Sequence, residues 1–213
     1  MRNKKLSLKK IISLLILCSF LSFSMTYALN FPSLKKEYEK EIKKNPNDPE
    51  ILFNLLVVYG AEGNLEKAFE IYKSLEEKNP NYIKNLKVEE NLNDPFSMYK
   101  SAFFYCFTGK NNLAIYYFEK LYDLYPNDDW IIAYLAYLYY LDENMGDVEQ
   151  LVNKGLKINN NNEALHALFC TLNLKKGRYF SALKEYFITM NILQKKDYKT
   201  LWKILRGLQD DIK

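Results

Sequence analysis

The residues able to do chemistry are few in this 213-residue chain. There is one histidine, His166, and there are three cysteines, Cys18, Cys106 and Cys170. A catalytic centre needs a nucleophile or base and a second group that orients it. His166 falls on the side of its helix expected to face a partner helix, so it reads as a packing residue. The acid pairs Glu76-Glu77, Glu89-Glu90, Asp128-Asp129 and Asp210-Asp211 stand at helix ends or in loops. Side chains adjacent along a helix do not face one another, so these carboxylates read as caps or solvated charge. No HExxH, CxxC, GxGxxG or phosphate-loop pattern is present. The residues therefore imply no catalytic group, no metal ligands and no cofactor, and the chain reads as a non-enzyme.

The elements that would position any site are helical. Apolar residues make up 48% of the chain, enough for a core of ordinary size, while 7 Gly and 6 Pro leave little room for a turn-rich β fold. The first ten residues carry five cations and no acid, and an apolar run follows over residues 11–25 before Ala28. That order matches a secretory signal, and it predicts export with residues 1–28 removed. The run is short for a membrane span, which needs about 20 residues; an uncleaved anchor is the alternative. Cys18 follows Leu17 inside the run, which argues against a lipid-modified cysteine. The net charge of +4 belongs to the leader: without its five cations, 25 Lys and Arg face 26 Asp and Glu. No basic footprint for nucleic acid remains.

One spacing recurs through the rest. Pro46 and Pro80, Tyr105 and Tyr139 are each 34 residues apart, and Gly109 and Gly177, Ala114 and Ala182 are twice that. The period divides the chain into a half-repeat at 31–46, repeats at 49–82, 95–128, 129–162 and 163–196, and a C-terminal helix at 197–209. The polar stretch 81–94 interrupts the frame and reads as a surface insert. Asp48-Pro49 and Asp94-Pro95 place a capping side chain before a proline at the first helical position. Gly63, Gly109 and Gly177 suit the turn between paired helices. In the third unit the turn is expected to shift to Gly146.

The spacing Leu52-x2-Leu55-Leu56-x2-Tyr59 with Ala68-x3-Tyr72 and Pro80 resembles the tetratricopeptide repeat. The second copy repeats it as Met98-x2-Ser101-Ala102-x2-Tyr105 with Ala114-x3-Phe118 and Pro126. The third and fourth copies keep Tyr139 and Tyr186 but carry Val148, His166 and Asn173 at less usual places. The resemblance implies an all-α fold, an α-solenoid of stacked antiparallel helix pairs over 29–213. It also implies a concave groove for a protein or peptide, lined by the second, fifth, ninth, twelfth and thirteenth places of each first helix. Those places give Phe96, Tyr99, Phe103 and Phe107 in the second unit, and Trp130, Tyr137 and Tyr140 in the third, as the partner-binding residues. Stacked units contact only their neighbours, so Cys106 and Cys170, 64 residues apart, are expected to remain free thiols. The functional expectation is an interaction module outside the cytoplasm, periplasmic or secreted. The competing reading is a scaffold facing outward, tethered to the membrane by residues 11–25.

Overall fold

The computed structural model describes residues 30–196. The expected signal peptide and the expected helix at 197–209 lie outside the described residues. Those described form ten helices and no strand. An opening helix, α1 (Asn30–Ile42), precedes the first pair, α2 (Pro49–Ala61) and α3 (Leu65–Lys78). A four-residue helix α4 (Tyr82–Asn85) follows. Three more pairs complete the row: α5 (Pro95–Phe107) with α6 (Asn111–Leu124), α7 (Asp129–Leu141) with α8 (Met145–Ile158), and α9 (Glu163–Lys175) with α10 (Tyr179–Lys195). Each pair packs on the next, so the fold is an α-solenoid with the architecture of tetratricopeptide repeats.

Local chemistry sets where each first helix starts. Asp48, Asp94 and Asp128 each accept two backbone N–H groups of the first turn at 2.9–3.3 Å. Asn162 does the same for Leu165 N–H at 3.0 Å. Each such cap contributes about 1 kcal/mol. Every first helix is 13 residues long and is followed by a three-residue turn. The central residue of that turn takes positive φ: Gly63 at 71°, Gly109 at 70° and Gly177 at 69°.

The third turn corrects the sequence reading. Its central residue is Glu143, at φ 60°, while Gly146 lies inside α8. The turn keeps the 34-residue register and simply lacks its glycine. A left-handed L-residue costs roughly 1–2 kcal/mol, and the Glu143 side chain is exposed. Glu143→Gly should therefore raise the melting temperature by about 2–4 °C. An unchanged or lower value in a thermal melt would contradict the turn assignment.

A tyrosine in each of the first three pairs ties its unit to the element before it. The Tyr59 hydroxyl donates to Glu39 of α1 at 2.5 Å, and Tyr139 donates to Glu119 of α6 at 2.6 Å. In the second pair Tyr105 donates to Glu90, which belongs to the insert. Ile83 is buried and the Tyr82 ring meets Phe53 edge-on at 6.4 Å. Residues 81–94 are thus a docked segment with its own anchor, whereas their polar composition had suggested a free surface loop.

Hydrogen bonds from Tyr105 and Tyr117 hold the Glu90 carboxyl below its usual range, and the bond to Glu90 pushes the Tyr105 hydroxyl up to about 12. A depressed carboxylate pKa gives stability that is complete above the ordinary glutamate range and is lost as pH falls through the folded value. Tyr105→Phe should therefore lower the melting temperature at neutral pH and leave it nearly unchanged near pH 3. Equal loss at both pH values would show that Glu90 plays no part.

Candidate functional site

The join between the first two pairs differs from the others and reshapes the concave side. Elsewhere a second helix packs on the next first helix, α6 on α7 and α8 on α9. Across the insert the contact runs through the two first helices, α2 on α5. The α2–α3 turn then lies under the aromatic side chains of α5 and α7. Phe103 presses on Gly60, where an added Cβ would come within 2.8 Å of the ring tip. Trp130 covers Gly63 so closely that a Cβ there would overlap the indole. Tyr134 spans the gap and donates its hydroxyl to the Gly60 carbonyl at 2.7 Å.

This closure corrects two of the expected partner-binding residues. Tyr99 and Phe103 are buried in an aromatic cluster with Phe118 and Tyr134. Phe103 meets Phe118 and Tyr134 edge-to-face at 5.7 and 5.1 Å, and Tyr99 stacks on Phe103 at 6.1 Å. They are core, reached by no partner unless the pairs separate. Phe96 is half-buried with its ring 6.0 Å from that of Tyr38 in α1, and the exposed Phe107 stacks on Tyr72 at 5.1 Å. Neither joins the other aromatics in a common site.

Trp130, Tyr137 and Tyr140 do come together. They form one wall of a groove of about 340 Å³ between α7 and α9. Its floor is small and apolar: Ala133 from α7, and Ala164, Ala167 and Thr171 from α9. Tyr134, Leu168 and Leu65 complete it. Tyr137 is 53% exposed, so a large ring stands at the mouth beside a shallow floor. Lys175 sits over the Tyr140 ring at 4.3 Å, and Lys196, bound to Glu163 at 2.7 Å, lies 5.9 Å from the Trp130 ring. Ala164, Ala167 and Thr171 were legible: they occupy the second, fifth and ninth places of the fourth unit, the same places that yielded the aromatics of the second and third. Being small, they did not stand out.

The groove can hold a bulky apolar side chain between aromatic faces, and it carries no acid–base pair among its lining residues. Elsewhere, burial pushes the Cys106 thiol up to about 12 and raises that of Cys170. Both are free and neither is a ready nucleophile. His166 is almost fully buried; Nδ1 lies 2.6 Å from Glu185 Oε2 and Nε2 donates to the Asn160 carbonyl at 3.0 Å. It is a core pair that fastens α9 to α10. Among the described residues no three His, Cys, Asp or Glu side chains gather to hold a metal.

No protein-family profile and no curated protein matches the chain. Solved structures of similar shape include MamA from Desulfovibrio magneticus RS-1, at 15% identity and TM-score 0.44, with 85% of this chain and 96% of that one covered. TTC0263, a thermophilic tetratricopeptide-repeat protein of Thermus thermophilus, aligns at 19% identity and TM-score 0.44, covering 85% and 93%. PilF of Pseudomonas aeruginosa aligns at 16% identity and TM-score 0.42, covering 80% and 72%. The assignment of the solenoid fold rests on the helix pairs themselves.

Proposed function

We propose that this protein is a non-catalytic interaction module that takes an apolar or aromatic peptide segment in the α7–α9 groove. The observation that carries the reading is the groove itself: Trp130, Tyr137 and Tyr140 around a floor of Ala133, Ala164 and Ala167. Aromatic walls give large contact area with little rotamer entropy to lose, and such residues dominate binding hot spots. We place it outside the cytoplasm, on the charged and apolar pattern of residues 1–28. Tethering by residues 11–25 is the second reading, and the same pattern supports it.

Selection of a random 15-residue peptide library on the full chain tests the groove. Selected peptides should share a Phe, Trp, Leu or Ile anchor. Ala167→Trp, which fills the exposed floor, should weaken them at least thirty-fold, the loss of about 2 kcal/mol expected when a hot-spot anchor is displaced. Undiminished binding to that variant with an unchanged melting temperature would place the site elsewhere.

A further inference from the structure

Units of a stacked row touch only their neighbours, yet here the first pair reaches the third. They meet at the α2–α3 turn, and two departures from the repeat pattern bring them together. The twelfth place of a first helix holds Cys106 in α5, Tyr140 in α7 and Leu174 in α9, but Gly60 in α2. With no side chain there, the end of α2 is bare: Phe103 presses on it, and the Gly60 carbonyl stays within reach of α7. The sixth place holds Asn54, Lys100 and Leu168 in the other three first helices, but Tyr134 in α7. The bare carbonyl and the long donor that finds it are each particular to one unit. They meet at 2.7 Å across 74 residues of sequence.

That bond also reaches the groove. The last carbonyls of a helix lack partners within it. The Gly60 oxygen accepts the Gly63 N–H of the turn at 2.9 Å, and a carbonyl has a second lone pair to offer the Tyr134 hydroxyl. The turn is thereby capped from outside its own unit. Three residues past Gly60, Gly63 seats the Trp130 indole, whereas the turn glycines Gly109 and Gly177 have nothing within 4 Å of a Cβ position. Two residues further on, Leu65 lines the groove itself. One wall of the groove, Trp130, therefore rests on the first pair, and one lining side chain comes from it.

We infer that the first pair is an integral part of the α7–α9 groove, and that Tyr134 is the residue that positions it by holding the Gly60 carbonyl. The inference rests on the groove being the binding site and adds how that site is controlled. Whatever loosens the α2–α3 turn frees Trp130, withdraws Leu65 and weakens the occupant. Coupling of this kind is reciprocal, so an apolar peptide in the groove must also tighten the turn. A groove built from α7 and α9 alone would be indifferent to the first pair. Tyr134 also lines the groove with its ring, so the hydroxyl has to be deleted by itself to separate the two roles.

The test uses the full chain and one of the selected 15-residue peptides, with Trp202→Phe throughout so that Trp130 is the sole tryptophan. Tyr134→Phe should weaken the peptide about five- to tenfold, the range that one neutral hydrogen bond supports. It should also open Trp130 to iodide before any peptide is added, while the far-UV dichroism stays that of the parent. Leu65→Ala should weaken the peptide too, although it stands in the first pair. Tyr139→Phe deletes the hydroxyl that bonds Glu119 from the same helix; it should lower the melting temperature and leave both affinity and indole unchanged. Amide exchange at Gly63 and Leu65 should slow when the peptide binds the parent. A Tyr134→Phe that lowers only the melting temperature, with Trp130 still shielded and affinity kept, would overturn the inference. Equal losses of affinity in Tyr134→Phe and Tyr139→Phe would overturn it as well, by assigning the effect to general loosening. Ala167→Trp tells the two failures apart. If it weakens the peptide where Tyr134→Phe and Leu65→Ala do not, the groove stands and the part given to the first pair falls; if it has no effect, both fall together.

Discussion

Gly63→Ala should cost the protein about 2–5 kcal/mol, enough to lower its melting temperature by roughly 5–15 °C. Two effects add at this one residue. Its φ of 71° is a left-handed conformation that an L-residue occupies at a cost of roughly 1–2 kcal/mol. Its missing Cβ also makes room for the Trp130 indole, which a methyl group would have to push aside. Displacing a packed ring typically costs a further 1–3 kcal/mol or so. Gly109 separates the two effects, because its φ is 70° but nothing lies within 4 Å of where its Cβ would be. Gly109→Ala should show the backbone cost alone. Gly146, helical and with open space around it, should tolerate alanine and gain about 0.5–1 kcal/mol. If Gly63→Ala and Gly109→Ala melt together, the closure of the α2–α3 turn beneath α7 is wrong.

His166→Ala should be comparably damaging for an electrostatic reason. The Glu185 carboxylate is buried, and the imidazole 2.6 Å away is the side-chain partner that satisfies it. Removing one member of a buried pair strands the other and costs about 3–5 kcal/mol. Replacing both with leucine removes the stranded charge and should recover most of that loss, since an apolar pair of similar volume is often neutral or better. Urea melts of the single and double variants decide the matter. A double variant as unstable as the single one would mean that the pair's shape, not its charge, holds α9 to α10.

These residues also show what could be read in the sequence and what could not. The 34-residue register, the Asp-Pro starts and the turn glycines are local signals, and each places a helix end within the chain's own neighbourhood. The third turn escaped because its φ > 0 residue is a glutamate, and the nearby Gly146 drew the turn three residues too far. The insert escaped for a different reason: Ile83, Tyr82 and Glu90 acquire their roles only from Phe53 and Tyr105, and no spacing reports that. The groove shifted by one unit because the α2–α5 join folds the inner face over Tyr99 and Phe103. Helix periodicity assigns a side chain to a face, but it does not say whether a neighbouring pair covers that face. Trp130, Tyr137 and Tyr140 stay accessible because the residues opposite them, Ala164, Ala167 and Thr171, are small. Volume across the groove decided exposure, and that is a property of two helices together.

The central claim is that the α7–α9 groove receives an apolar side chain. Backbone and methyl NMR shifts of the full chain, titrated with one of the selected 15-residue peptides, test it most directly. The perturbed residues should be Ala133, Tyr137, Tyr140, Ala164, Ala167 and Thr171, with Tyr99 and Phe103 nearly still inside their cluster. Shifts gathered instead on Phe96 and Phe107, or spread through Tyr99 and Phe103 with loss of the folded spectrum, would contradict the account.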